Sequence, residues 1–270
     1  MEKTKPKQMV DYNQKAKEVR GKVLQMIHKA GTSHIASNFS LVDIAVVLYE
    51  NLKEEDEVVW SKGWAAALGY VMLARRGEIP EADLDKFPNP PYLGLMEPSV
   101  NGVHVAGGSV GHGLPVAVGM ALAKKRAGEP GKVYCLMSDG ELNEGSTWES
   151  ALIAAHHNLD NLMVIVDANG WQALGRTKDV LDSYFPARGW EMCVANGHLH
   201  GVIGDRLFGY FSKYTKPKAI IFETTKGSGG DTACDIFEKG LLYHYKHVDE
   251  ETYRQAQELL SKDKVSELSD

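Results

Sequence analysis

Two short apolar runs, each stopping at a polar residue followed by glycine, constrain this chain most. Lys132-Val-Tyr-Cys-Leu-Met137 follows Pro130-Gly131 and stops at Ser138-Asp139-Gly140, while Leu162-Met-Val-Ile-Val-Asp167 stops at Ala168-Asn169-Gly170. Runs of this length bounded by turn residues read as buried strands. Between them, Thr147 to His157 is good helix material. The segment therefore predicts a βαβ unit with parallel strands whose carboxyl ends share one edge. Open α/β sheets bind ligands outside those ends, so Asp139 and Asn169 are expected to converge on a ligand.

Magnesium prefers oxygen ligands in octahedral geometry and takes one or two of them from protein, the rest from phosphate and water. The Asp139 carboxylate and the Asn169 side-chain carbonyl supply two. Gly140 and Gly170 carry no β-carbon and let the backbone approach a phosphate. Either dipeptide alone reads as a turn; the pair, with Glu144-Gly145 and Trp148-Glu149 between, reads as a site.

The remaining pattern fits one α/β unit over residues 1–270, with 1–10 a loose tail. Helical periodicity runs from Tyr12 to Lys29 and stops at Gly31. Further helices are predicted over 40–52, 61–76, 114–125 and 249–262, and further strands over 190–194 and 218–225. Five prolines between 78 and 104 mark a long loop. The glycine-rich stretch 107–113 has the wrong spacing for a dinucleotide fingerprint; close packing is its alternative reading.

A formal net charge of −6 without a basic block argues against nucleic acid or an anionic membrane as partner. The ten histidines lack zinc-site spacing. Cys135, Cys193 and Cys234 are isolated and read as reduced thiols of a cytoplasmic protein. The polar N-terminus has no signal-peptide core, and no apolar run approaches a membrane span.

Five stretches, in order, resemble the N-terminal half of the transketolases. They are Ser33-His34-Ile-Ala, Leu41-Val-Asp-Ile-Ala-Val-Val-Leu-Tyr, Gly102-Val-His-Val-Ala-Gly-Gly-Ser-Val-Gly-His-Gly-Leu, the Asp-Gly and Asn-Gly pair, and Tyr243-His244 in place of the usual Trp-His. The resemblance implies a three-layer α/β sandwich with a mostly parallel sheet, the diphosphate-binding domain of the thiamine-diphosphate fold. It implies thiamine diphosphate as cofactor, held through Mg2+ (or Ca2+ or Mn2+), with the Trp171 backbone carbonyl as a third metal ligand beside Asp139 and Asn169. Gly108, Ser109 and Val110 would approach the cofactor ring, Gly140 and Glu141 would lie along the diphosphate, and His34 and His244 would face substrate oxygens. The pyrimidine-binding domain of that family does not fall within these residues. The resemblance thus implies one half of a split enzyme, paired with a C-terminal transketolase-like subunit in an α2β2 assembly and inactive alone.

The chain also departs from the family. Ser61-Lys-Gly-Trp64 stands where the family has Ser-x-Gly-His. Pro90-Pro-Tyr-Leu-Gly-Leu-Met-Glu97 lacks the family's Gly-His-Pro, His104 replaces a glutamate, and Ser138 replaces a glycine. Three functions follow as expectations. The first is transfer of a two-carbon ketol unit between sugar-like small molecules. The second is acyl transfer from a 2-oxo acid such as pyruvate, and the third a non-catalytic regulatory subunit.

Overall fold

The computed structural model of the chain describes residues 10–172, 185, 189–209 and 215–263. The expected tail, Val10 apart, lies outside them. Five strands form one sheet: β1 (Glu57–Trp60), β2 (Val133–Ser138), β3 (Leu162–Ala168), β4 (Glu191–Asn196) and β5 (Lys218–Glu223). Their order is β1-β2-β3-β5-β4, and every neighbouring pair is parallel. A parallel sheet covered on both faces needs strands apolar along their whole length, and all seven residues of β3 are buried.

Successive strand residues point to opposite faces and so sort into two cores. Trp60, Tyr134, Leu136, Met163, Ile165, Ile220 and Phe222 pack with helices α1 (Tyr12–Ala30), α3 (Val42–Tyr49) and α4 (Ala66–Arg76). Val59, Val133, Cys135, Met137, Val164, Val166 and Ile221 pack with α5 (Gly113–Ala127) and α6 (Gly145–His156). The result is the expected three-layer α/β sandwich. Helix α1 starts where Asp11 accepts a hydrogen bond from the Gln14 amide at 2.9 Å and stops at Gly31, which is left-handed at φ 60°.

Three local expectations change. The helix expected over 40–52 is the shorter α3, and a separate helix, α2 (Ile35–Phe39), precedes it; Ser40 between them is fully buried and donates to Asp167 Oδ2 at 2.6 Å. The helix expected from Ser61 begins later. Ser61 and Lys62 follow β1 outside any helix, with the Lys62 amide donating to the Leu136 carbonyl at 2.9 Å, and a 3₁₀ turn at Gly63–Ala65 leads into α4. Strand β1 itself is only four residues long, too short to stand out from the acidic Glu54-Glu-Asp56 before it. The last helices are α7 (His200–Gly204), α8 (Leu242–Tyr245), which carries His244, and α9 (Glu250–Leu260). Among the described residues no helix is long and apolar enough to cross a membrane.

Candidate active site at the strand tips

The register of β2 on β3 sets Ser138 opposite Asp167, so the next residues of each strand emerge side by side. Asp139 is 1% exposed and Asn169 6%. Asp139 Oδ2 accepts from the Gly170 amide at 2.9 Å, tying the two loops together, while its Oδ1 accepts from the Gly140 amide at 3.0 Å. Asn169 Oδ1 accepts from the Trp171 amide at 3.2 Å, which fixes the carboxamide with its oxygen toward the turn. Each of these oxygens carries two lone pairs and can accept more than one bond, so a hydrogen bond from an amide does not preclude metal ligation. The donor set is hard oxygen, which suits Mg2+, Ca2+ or Mn2+. Among the described residues no group of three or more His, Cys, Asp or Glu is placed to hold a metal. A cation here would therefore take the rest of its ligands from backbone, phosphate and water.

A cavity of about 200 Å3 opens over these tips. Ser37, Lys62, Trp64, Val110, Gly140 and Asn169 are on its wall, with Trp171, Gln172, Lys226, His244 and Tyr245. Two lysines give it a positive floor. Lys62, 6% exposed, pairs with the fully buried Asp167, which also accepts from Ser40 and Thr224. Lys226, also 6% exposed, makes no ion pair among the described residues, its nearest acceptor being Ser37 Oγ at 3.4 Å. Burial and the neighbouring Lys62 bring the Lys226 pKa down to about 8. A bound anion would stabilise the charged form of Lys226 and so offset both effects.

The structure brings the two histidines together. The His34 and His244 rings meet edge to face at 4.4 Å, and Trp64 stacks on the other side of His34 at 4.2 Å. His34 has left-handed backbone (φ 72°), and its carbonyl accepts from Asn38 Nδ2 at 2.9 Å. Strain of this kind clusters at functional positions. Nδ1 of His34 lies 2.7 Å from Ser33 Oγ and Nδ1 of His244 lies 3.1 Å from Ser37 Oγ, and neither Nε2 has a partner among the described residues. Burial, His244 and Lys226 bring His34 down to about 3. Burial, Lys226 and Lys62 bring His244 down to about 4. Both rings are neutral near pH 7, each with one ring nitrogen available to accept a proton. Removing the charge in Lys226→Met is expected to move the His244 midpoint from about 4 toward the ordinary 6.5, read from its ring proton shift against pH. A midpoint that stays put means burial and Lys62 set it.

The glycine loop serves two ends. Val110 reaches the cavity wall, whereas Ser109 is exposed with its hydroxyl 3.3 Å from His112 Nε2. Gly107 gives close packing: a β-carbon there would stand 2.6 Å from the Gly63 Cα. Glu141 is fully buried rather than on the cavity wall. Its Oε1 accepts from the Ser138 amide at 2.9 Å and the Ser138 hydroxyl at 3.2 Å, and its Oε2 from Ser61 Oγ and from the Gly111 amide at 3.4 Å. It thus clamps the loop to the tips of β1 and β2. His104 pairs with Glu57 at 3.2 Å and is absent from the cavity wall.

Sequence reasoning missed Ser37, Lys62, Asp167 and Lys226. A signal was present, because Lys62-Gly63 and Lys226-Gly227 each follow a strand, as do Asp139-Gly140 and Asn169-Gly170.

Residues 12–240 match the family described as transketolase, thiamine diphosphate binding domain. The chain is 36% identical over 242 residues to one of the subunits of the apulose-4-phosphate transketolase of Actinobacillus succinogenes, covering 81% of this chain and 86% of that one. It is 30% identical over 277 residues to a 6-deoxy-6-sulfo-D-fructose transketolase subunit of a Clostridium species, covering 95% and 98%. A solved transketolase from Campylobacter jejuni superposes with a TM-score of 0.84 at 30% identity, over 94% of this chain and 43% of that one. The chain thus spans less than half of that solved protein.

Proposed function

Because the chain belongs to the thiamine-diphosphate-binding transketolase family, we propose that it is the diphosphate- and metal-holding subunit of a two-chain enzyme that moves a two-carbon ketol unit between sugar-like substrates. The observation that carries this reading is the convergence of Asp139 and Asn169 on adjacent strand tips beneath a cavity with two buried lysines.

Asp139, Asn169 and the Trp171 carbonyl hold a divalent cation, Mg2+ or in its place Ca2+ or Mn2+. Lys226 and Lys62 offset the diphosphate charge, and Gly140 admits the phosphate close to the backbone. Gly108 and Val110 face the cofactor ring, and Glu141 acts indirectly by holding their loop. Bound thiamine diphosphate supplies a nucleophilic carbon and an electron sink for cleaving the bond beside a ketose carbonyl. His34 and His244, neutral and paired, take and return protons at the substrate's hydroxyl and carbonyl oxygens. The whole chain acts as one diphosphate-binding domain. The pyrimidine side and its activating glutamate come from a C-terminal transketolase-like subunit, in an α2β2 assembly. Relatives named as transketolase subunits support the two-chain reading. Three free cysteines, two of them buried, fit a reducing cytoplasm.

Trp64 in place of a histidine favours a second reading, acyl transfer from a 2-oxo acid with decarboxylation. One experiment separates the two. The purified two-subunit complex, loaded with thiamine diphosphate and Mg2+, receives a ketose with an aldehyde acceptor, and separately carboxyl-labelled pyruvate. Ketose turnover without labelled carbon dioxide, and no turnover by this chain alone, is the expected result. Carbon dioxide release without ketose turnover replaces the first reading with the second. A complex that takes up no cofactor leaves only a regulatory role.

A further inference from the structure

Trp64 lies on the wall of two cavities. One is the strand-tip cavity, and the other, of about 440 Å3, has His34 on its wall with Phe87, Leu93 and Leu95. Its polar wall residues include Ser33 and Asn38, whose side chains are already bonded to His34 and, for Asn38, to the Trp64 carbonyl and the Leu68 amide. Among the described residues this second cavity has no Lys, Arg, Asp or Glu on its wall. His34 and Trp64 stack face to face on its wall, and Leu95 lies on the same wall. The Leu95–Met96 stretch is held in place. The Tyr70 hydroxyl donates to the Leu95 carbonyl at 2.7 Å, the Gly107 amide donates to the Met96 carbonyl at 2.8 Å, and a β-carbon on Gly108 would stand 2.9 Å from Leu95 Cδ1. Trp64 and Leu95 fall in the two stretches where the resemblance leads one to expect the histidines of Ser-x-Gly-His and Gly-His-Pro. Both departures therefore fall on the same wall, next to the same proton-handling histidine.

We propose that Trp64 and Leu95 build an uncharged, apolar subsite beside His34 that selects substrates whose chain beyond the reacting carbonyl is deoxygenated and carries no anionic group. An imidazole offers a hydrogen bond to a substrate hydroxyl, whereas an indole face and an isobutyl group desolvate that hydroxyl without replacing its bond. An alkyl segment meets the opposite balance and gains from burial. The proposal rests on the ketol-transfer reading for which carbonyl reacts, but the subsite itself is a property of this chain's wall.

Binding is therefore tested apart from turnover. The two-subunit complex, with no donor present, is titrated with 1,2-butanediol and with erythritol, four-carbon probes that differ in two hydroxyls. Saturation-transfer NMR reports affinity. Butanediol is expected to bind about tenfold more tightly, the size of effect that one methylene-sized group brings in an apolar pocket. Trp64→His and Leu95→His should each erode that ratio severalfold, and Trp64→Phe, which keeps the aromatic wall, should retain it. In turnover the same histidine substitutions should raise KM for butanal relative to erythrose. Tighter erythritol binding in the unaltered complex overturns the proposal, as does a butanediol preference that survives both histidine substitutions. A complex that keeps the probe preference but transfers no ketol unit refutes the functional reading and leaves the subsite standing.

Discussion

Replacing Asp139 with alanine is expected to abolish magnesium-dependent uptake of thiamine diphosphate by the assembled enzyme. Asp139 stands at the tip of β2, almost wholly buried, and carries the hydrogen bond that ties the Gly170 loop to that tip. On the proposed reading the substitution takes away a metal ligand, and it also removes the acceptor that ties down the loop carrying Asn169 and Trp171. Outer-shell substitutions around metals cost about 10–100-fold in affinity, and loss of a ligand lies beyond that range. Calorimetric titration with and without Mg2+ measures the effect directly. Asp139→Asn keeps an acceptor for the Gly170 amide but no charge, and so separates the ligand role from the loop role. Unchanged magnesium-dependent affinity in Asp139→Ala removes the assignment.

Lys62→Met is expected to destabilise the folded chain by about 3–5 kcal/mol at neutral pH, the range for stranding one member of a buried ion pair. Burial alone would raise the Asp167 carboxyl, yet Lys62 and the hydroxyls of Ser40 and Thr224 together hold it below its ordinary value. Without Lys62 the charge keeps only hydroxyl donors close by, and Lys226 stands farther off. Urea unfolding of the two proteins side by side gives the difference. The double variant Lys62→Met/Asp167→Asn should recover most of it, since a neutral amide removes the stranded charge. The pH dependence follows in sign. A carboxyl depressed by folding contributes stability above its unfolded pKa of 3.8 and loses it as pH falls through the lower folded value. The gap between the proteins should therefore narrow below about pH 4. A gap under about 1 kcal/mol at pH 7 shows that Lys62 does not hold the site together.

Much of this fold is legible in the sequence because buried parallel strands declare themselves. Val133 to Met137 and Leu162 to Val166 are unbroken apolar runs with turn residues after them, and the helix between them is long enough for its own pattern. The tips they carry, Asp139 and Asn169, were legible for the same reason. Strand β1 was not, since four residues give too little period to separate Val58-Val-Trp60 from a helix start. Helix α2 was hidden because five residues show too little period, and the Ser40 hydroxyl that follows it reaches Asp167, which stands 127 positions away. Lys62 and Lys226 each carried a local signal, a glycine following the lysine after a strand, but nothing local says that the two will be buried together. Only the sheet order, which sets β5 beside β3, brings Lys226 to the cavity that Lys62 already lines. Glu141 shows the limit in the other direction. Its place in a functional motif suggested a contact with the cofactor, whereas the structure satisfies its carboxylate within the protein, through a reciprocal cap with Ser138 and through Ser61 and Gly111.

The central claim is that the tips of β2 and β3 chelate a cation that bridges to the cofactor's diphosphate. The most direct measurement is an anomalous difference map from crystals of the two-subunit complex grown with Mn2+ and thiamine diphosphate. The expected result is a single strong peak about 2 Å from the Asp139 carboxylate and the Asn169 side-chain oxygen, with diphosphate oxygens on its open side and Lys226 beside them. A diphosphate held by the lysines alone, with no peak at Asp139 and Asn169, contradicts the account.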